Sequence, residues 1–451
     1  MKHAKFRKLW DSIHSSFWFV PTLMVGLAIW LAFITIGIDQ RRETDIIADL
    51  GWAYSLGPQG SRAILSAIAG SMVTVATTAF SITIVALQLA SSQFGPRLLR
   101  NFIQDTGNQV VLGTFISTFV YSLMVLRTID GVAQNEFVPH LAVTFGIGLA
   151  IASIGVLIYF IHHSASSIQV DQIIRRVGHD LNDAIERLFP ERIGRSPSKQ
   201  NQKQGLAEIP ADFDQVACSI KAVTSGYIQA IDDQQLMQIV TQKNLVLRIQ
   251  QRPGCFVVRG SELVQVMPCD RVTKQLATQI NDAFVFGSQR TEHQDVQFSL
   301  NQLVEIAVRA LSPGVNDPFT AIRCIDQLSA ALCDLAQREI PSPYRYDDHN
   351  QLRIIAEPIS FAEVMDTAFN PIRQYGQSSV AVIMRLLEAI ALIAPFTHRP
   401  LDRIALRRHA EMIERGSQAG VPEVCDRQDI QERYLAAMKA IAPAIEESAD
   451  P

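Results

Sequence analysis

The first third of this chain lacks charged side chains over long stretches. No Asp, Glu, Lys or Arg lies between Arg62 and Arg97. About 20 apolar residues are enough to cross a hydrocarbon core roughly 30 Å thick as a helix, so this run predicts a membrane span with length to spare. No predicted span has Asp, Glu or Lys near its middle, and ion-coupled pumps need such groups. Coupled transport is therefore disfavoured.

The sequence also lacks the motifs of common enzyme classes. It contains no H-E-x-x-H, no P-loop, no G-x-S-x-G and no Rossmann fingerprint. The formal net charge of −4 gives no argument for nucleic acid. We expect no enzymatic activity, no cofactor and no metal site.

Cysteine is scarce and unevenly placed. No pair has the C-x-x-C spacing of a zinc or redox site, and the first 217 residues contain none. We therefore expect reduced, cytosolic cysteines. The six are Cys218, Cys255, Cys269, Cys324, Cys333 and Cys425.

Four apolar runs predict a four-helix transmembrane domain over residues 1–163, with spans at 17–38, 61–100, 109–129 and 138–162. The N-terminus, the loop with Arg97 and Arg100, and the segment after the fourth span are basic, whereas the other two loops are acidic or nearly neutral. The positive-inside rule then predicts a multi-pass membrane protein with both termini in the cytoplasm.

The second span carries a stripe of small and polar residues at alternating steps of four and three, which places them on one side of a helix. Two interpretations stay open: a seam where helices approach closely, or a wall facing water in a pore. Arg97 and Arg100 would then lie at the cytoplasmic mouth. The stripe consists of Ala67, Ser71, Thr74, Thr78, Ser81, Val85, Gln88 and Ser92.

The rest of the chain predicts a cytoplasmic α+β domain. An amphipathic helical connector (164–190) and a flexible linker (191–211) precede a β-rich subdomain (212–270), a helical subdomain (271–445) and a disordered tail (446–451). Pro253-Gly254 fits a type II turn. The pattern of Pro253, Gly254, Val257, Gly260 and Leu263 resembles half of a biotinyl/lipoyl-type barrel without the modified lysine, which predicts a small barrel-like part but no carrier role.

Two loops are candidate ligand sites. In the first, Asp317 and Pro318 suit the start of a helix, and helix N-termini attract anions; its candidate residues are Ser312, Gly314, Asn316 and Asp317. The competing interpretation is a tight turn between two helices. In the second, Asp295 is a plausible helix cap, and the candidates are Arg290, Glu292 and His293.

Five phrases together resemble one bacterial family of predicted membrane proteins, defined by domain of unknown function 2254. They are FSITIVALQLASSQFGPRLLRNF, VLGTFISTFVYSLMVLR, SGYIQAID, RTEHQD and IAVRALSPGVNDPFTA. The resemblance covers nearly the whole chain and implies four helices in the bacterial inner membrane with a large cytoplasmic domain. It implies no activity and no catalytic residues.

Two functional hypotheses follow. In the first, copies of the chain associate in the lipid bilayer into a channel for an ion or small anion, gated by the cytoplasmic domain. In the second, the helices only anchor and associate, and the cytoplasmic domain binds a ligand or a protein as a sensor or scaffold. Burial of the stripe inside a closed four-helix bundle would favour the second hypothesis.

Overall fold

The computed structural model describes residues 18–41, 57–95, 105–129, 137–167, 169–190, 209 and 213–442. The chain divides between Gln172 and Ile173 into two compact units, here called the membrane unit and the soluble unit. The predicted linker apart from Ile209, most of the predicted basic flanks and the predicted tail lie outside the described residues.

Among its described residues, the membrane unit contains four helices that are long and apolar enough to span a membrane. The prediction of four candidate membrane helices is therefore confirmed. The helices are α1 (Phe19–Arg41), α2 (Pro58–Phe94), α3 (Thr106–Thr128) and α4 (His140–Ser167).

Helix α3 is the centre of this unit, because it packs against α1, α2 and α4. Tyr121 of α3 is fully buried. Its hydroxyl lies 3.0 Å from Oγ1 of Thr35 on α1 and donates to the carbonyl of Ala142 on α4 over 3.1 Å. At the same end of the bundle, Arg62 of α2 donates to the carbonyl of Ile129 over 2.6 Å. These bonds connect three helices to the last turns of α3.

The predicted connector is a separate helix, α5 (Val170–Leu188), which begins after α4 has ended. Its apolar side is buried against the soluble unit. Arg338 holds its end in place, because the buried guanidinium donates to the carbonyl of Phe189 over 2.9 Å and lies 3.2 Å from Glu186. From Ile173 onward this helix is thus part of the soluble unit.

The soluble unit contains two open sheets, so the predicted barrel-like part is wrong. A five-stranded sheet has the order β1-β5-β3-β8-β7, and a three-stranded sheet has the order β4-β2-β6. The strands are β1 (Cys218–Lys221), β2 (Gly226–Ile231), β3 (Val246–Ile249), β4 (Phe256–Val257), β5 (Glu262–Met267), β6 (Phe284–Gly287), β7 (Tyr344–Tyr346) and β8 (Leu352–Ala356).

The barrel prediction fails because strands from beyond residue 270 complete both sheets. β6 pairs antiparallel with β2, and β8 pairs parallel with β3. The described strands β1 and β7 are left as the edges of the larger sheet. The predicted Pro253-Gly254 turn is present, and Gly254 has the positive φ of 89° that the third position of a type II turn requires.

Helices fill the remainder of the soluble unit. The cap predicted at Asp295 is confirmed, because its side chain accepts a hydrogen bond from Gln297 N. The helices are α6 (Phe213–Val216), α7 (Asp233–Lys243), α8 (Lys274–Asp282), α9 (Val296–Ala310), α10 (Pro318–Ala336), α11 (Phe361–Tyr375), α12 (Val380–Ile393), α13 (Pro400–Gly420) and α14 (Val424–Ile441).

Candidate functional site: the outer side of the second helix

The predicted stripe lies on the exposed side of α2. Its members Ala67, Ser71, Thr74, Thr78, Ser81, Val85, Gln88 and Ser92 are all exposed in the described structure. Almost every member lies two positions after a buried residue. A step of two residues along a helix turns the side-chain direction by about 200°. The buried residues are Leu65, Ala69, Met72, Ala76, Ala79, Thr83 and Ala90. The stripe therefore lies opposite the side that packs against the bundle.

The buried side of α2 makes an ordinary apolar contact with α3. Met72, Ala76 and Ala79 join one hydrophobic cluster with Val111 and Phe115 of α3. Small residues thus do allow close helix approach here, but they are the alanines of the buried side. Within one chain, the small residues of the stripe do not form a seam with the other three membrane helices.

Three hydroxyl groups near the middle of the stripe donate to their own helix. Thr74 donates to the carbonyl of Gly70, Thr78 to that of Thr74, and Ser81 to that of Thr77, all over 2.9–3.0 Å. This pattern satisfies the hydroxyl hydrogen without a partner on another helix. The oxygen atoms keep accepting capacity toward water or a second chain.

Helix α2 ends where the sequence predicted a break. Gly95 has a φ of 105°, which residues other than glycine rarely adopt, and its N–H donates to the carbonyl of Ser91. Arg97 and Arg100, the predicted cytoplasmic mouth, lie outside the described residues.

The loop with Ser312, Gly314, Asn316 and Asp317 forms a tight turn. Asp317 caps α10 by accepting from the N–H of Thr320 over 3.1 Å and from its hydroxyl over 2.6 Å. The hydroxyl bond lowers the pKa of Asp317. Asn316 takes the left-handed conformation with φ of 49°. The carboxylate of Asp317 therefore occupies the start of α10, where an anion would otherwise bind.

The second candidate loop is held by ion pairing. Arg290 lies 2.6 Å from Asp295, whose carboxyl group is buried and has a raised pKa because of that burial. The carbonyl of Glu292 accepts from Arg187 on α5 over 2.9 Å. Gly254 fits beside this pair only because it has no side chain, since a Cβ there would lie 2.3 Å from the Asp295 carboxylate. His293 is exposed on the same loop.

The two candidate loops do not form one pocket. The structure instead contains a cavity of about 970 Å³ in the soluble unit, which reaches the second loop at Gln294 and Asp295 but not the first. The walls come from segments spread between Leu188 and Ile359. No short sequence motif is typical of such a cavity, so the sequence pattern did not predict it.

The expectation that all six cysteines are reduced is wrong for two of them. Cys218 and Cys269 form a disulfide with a Cα–Cα distance of 5.3 Å. Cys218 starts β1 opposite Val266 of β5, so the strand pairing brings the chain just after β5 next to it. A separation of 51 residues hides this proximity from any local spacing rule. The free cysteines among the described residues are Cys255, Cys324, Cys333 and Cys425.

Four candidate membrane helices followed by a mixed α/β unit are the architecture of a multi-span membrane protein with a large α/β domain. A family model described as "Predicted membrane protein (DUF2254)" matches residues 14–392. The chain belongs to this family, as its sequence phrases predicted.

Two mycobacterial proteins are similar over most of the chain. The uncharacterized protein Rv1290c of Mycobacterium tuberculosis is 32% identical over 429 residues, which cover 92% of this chain and 79% of that protein. The uncharacterized protein Mb1321c of Mycobacterium bovis matches with the same identity and coverage. No solved structure matches this chain.

Proposed function

We propose that this chain forms a homo-oligomeric channel in the bacterial inner membrane, with α2 of each copy facing a shared path. The supporting observation is the exposure of the whole stripe on the side of α2 opposite α3. The hydroxyls of Thr74, Thr78 and Ser81 would otherwise face hydrocarbon, where polar side chains are unfavourable. A central path formed by several copies gives these groups water instead.

Large apolar residues flank the stripe and fit this arrangement. Val73, Ile84 and Leu89 are exposed beside it, with 43%, 46% and 45% of their surfaces accessible. Such residues suit lipid or the neighbouring copy. Polar groups at the centre of the exposed side and apolar groups at its margins are the distribution that a pore-lining helix needs.

In this proposal the basic flanks place both termini and the soluble unit in the cytoplasm, where the Cys218–Cys269 disulfide is an exception to the usual reduced state. Arg97 and Arg100 stand at the inner mouth. Two arginines there favour an anion or another small ion as the permeant species. The soluble unit acts on the channel as its gate. We propose no enzymatic role and no nucleic-acid partner.

A sensor or scaffold without transport is the alternative function, and the cavity in the soluble unit favours it. In that case the stripes of neighbouring copies pack directly on each other, without water between them. Small residues are suited to such contacts. The two functions therefore differ in what the stripe meets.

Conductance of the purified chain in planar bilayers tests the channel. We expect Thr78→Trp to abolish conductance by filling the path. Ile84→Trp is the matched control, because Ile84 lies on the same helix about 120° away and should leave conductance intact. Absence of conductance in the unaltered chain, with ligand and tension varied, would leave the sensor as the better function.

Cysteine substitution distinguishes water from a second helix. The membrane unit has no native cysteine, because the first of the six cysteines in the sequence is Cys218. In a channel, a membrane-impermeant methanethiosulfonate should lower the conductance of Thr78→Cys beyond its effect on the unaltered chain, whose free cysteines lie in the soluble unit, and it should not do so for Ile84→Cys. In a dry seam, Thr78→Cys should resist that reagent and instead cross-link between copies under mild oxidation.

A further inference from the structure

The cavity in the soluble unit is lined by strands of the larger sheet, by helix α7 and by the start of helix α9, together with neighbouring loops. Ile249 of β3 and Ala356 of β8 form part of its floor, and Met237 of α7 faces the same space. Its volume of about 970 Å³ is at the upper end of the range for small-molecule sites, roughly 300–1,000 Å³. An apolar floor of this extent suits a ligand with a sizeable apolar body.

Helix α7 also presents a row of amides to this cavity. Gln234, Gln238 and Gln242 follow each other at steps of four residues, so they lie on one side of the helix and line the space. Each carries two donors and one acceptor at its end. A ligand in this cavity is therefore expected to carry hydrogen-bonding groups along one edge.

The starts of α7 and α9 both reach the cavity, but neither offers an anion site. Asp232 accepts from the N–H of Gln235 over 3.0 Å, and Asp295 accepts from the N–H of Gln297 over 3.0 Å. Each helix start thus already holds a carboxylate, which offsets its positive end. A phosphorylated or otherwise anionic ligand gains little from these two helices.

Charge in and around the cavity is negative. Three ion pairs cross its edge: Arg252 with Glu363, Arg290 with Asp295, and Arg353 with Asp347. With these pairs included, carboxylates outnumber guanidinium groups by two. Among the described residues, Asp233, Asp348 and Glu357 line the cavity without an ion-pair partner, and Arg345 is the one unpaired guanidinium group there.

We propose that this cavity binds a cationic amphipathic molecule of roughly drug size. Its apolar body would lie on the floor, its hydrogen-bonding edge along the glutamines of α7, and its positive charge near Asp348 and Glu357. Some residues of the proposed site are more than 100 positions apart in the sequence, so they come together only in the folded chain. The proposal does not depend on whether the membrane unit conducts ions.

Two dyes with the same xanthene ring system and opposite charge test the proposal. Rhodamine 6G is a cation and fluorescein is an anion. With the purified full-length chain in a non-ionic detergent, we expect the anisotropy of rhodamine 6G to rise saturably, with at least tenfold tighter binding than fluorescein. Absence of saturable rhodamine 6G binding, or equal or tighter fluorescein binding, would overturn the proposal.

Two sets of variants locate the site. Met237→Trp fills the cavity and should weaken rhodamine 6G binding at least tenfold, whereas Val424→Trp on the exposed start of α14 should not. Asp348→Asn with Glu357→Gln alters two exposed side chains, so it should fold normally. This double variant should lose most of the preference for the cation. Binding unchanged in both cavity variants would place the dye elsewhere and refute the assignment.

Discussion

Oδ2 of Asp39 accepts a hydrogen bond from the backbone N–H of Ala142 over 3.0 Å, across a sequence separation of 103 residues. Its other carboxylate oxygen accepts from the N–H of Leu141 over 3.2 Å. These N–H groups belong to the first turn of α4, where no acceptor within the helix is available. A residue at the end of α1 thus caps the start of α4.

We expect Asp39→Ala to destabilise the membrane unit by about 1–2 kcal/mol, the usual loss for a missing N-cap. Asp39→Asn keeps one acceptor oxygen and should fall between alanine and the unaltered chain. All four tryptophans lie in the first 52 residues, so tryptophan fluorescence follows this unit during thermal unfolding in detergent. Gln40→Ala, at an exposed neighbour, is the control. Equal midpoints for Asp39→Ala and Gln40→Ala would contradict the capping role.

Arg338 is expected to hold α5 on the soluble unit. Its guanidinium is 5% exposed and bonds Phe189 O and Asp334, each over 2.9 Å. Arg338→Ala should cost about 2–3 kcal/mol, because hydrogen bonds to a charged group are lost and their acceptors stay partly buried.

Hydrogen exchange measured by mass spectrometry checks the Arg338 prediction, since α5 should exchange faster in the variant. Arg415→Ala is the matched control, because Arg415 is 65% exposed and lies 4.0 Å from Glu411. If exchange in α5 is the same in both variants, Arg338 does not anchor that helix.

Glu363 is expected to make the soluble unit sensitive to acid. The hydrogen bond from Arg252 lowers the pKa of Glu363 from 4.5 to about 2. A carboxyl with a lowered pKa contributes stability that is present above pH 4.5 and is lost as the pH falls through about 2. Both side chains are more than a third exposed, so we expect a contribution of only about 1 kcal/mol.

Chemical unfolding at several pH values compares the unaltered chain with Glu363→Gln. The two should differ most at neutral pH, and the difference should shrink as the pH approaches 2. Glu411→Gln is the control, since its ion pair is long and exposed. A difference that stays constant down to pH 2 would show that the charge of Glu363 is not responsible.

His409 is expected to add a second dependence nearer to neutral pH. Burial lowers its pKa below 6.5, although Asp366 lies 2.9 Å from Nε2 and opposes the shift, while Arg408 and Arg373 nearby lower it further. The unfolded chain then binds a proton more readily, so stability is present above pH 6.5 and is lost as the pH falls.

The loss at His409 amounts to about 1.4 kcal/mol for each unit by which the pKa is lowered. His409→Gln removes the titrating group, so its stability should fall less between pH 7.5 and 5.5 than that of the unaltered chain. Helical circular dichroism during urea unfolding measures both. Identical slopes against pH would refute the role of His409.

Local sequence patterns predicted the helices of this protein better than they predicted which segments pack or pair with each other. The 3.6-residue period and the length of apolar runs placed the four spans, and Asp317-Pro318 correctly predicted a helix start. The spacing of the stripe on α2 was readable, but its exposure was not. The side of α2 that packs against α3 is the side that contacts Val111 and Phe115. The residue spacing within α2 alone does not predict which side that is.

Long-range pairing accounts for what the sequence did not reveal. β8 joins β3 from about 100 residues away, which opened the predicted barrel into a sheet. The Cys218–Cys269 disulfide and the contact between Arg187 and the Glu292 carbonyl also join distant segments. The cavity likewise takes its lining from residues of β3 and β8 and from segments between Leu188 and Ile359, so it exists only after the soluble unit has folded.

The bond from Arg62 to the Ile129 carbonyl sets the depth of the stripe. Because of this bond, the start of α2 lies at the same height along the bundle as the end of the antiparallel α3. Helix α2 then extends about nine residues, or roughly 13 Å, past the other end of α3. If α3 spans the hydrocarbon, Gln88 and Ser92 lie beyond the acyl chains, and Thr74, Thr78 and Ser81 lie within them. The part of the proposed path inside the hydrocarbon would then be lined by hydroxyl groups and the small side chain of Ala67, with the Gln88 amide at its entrance.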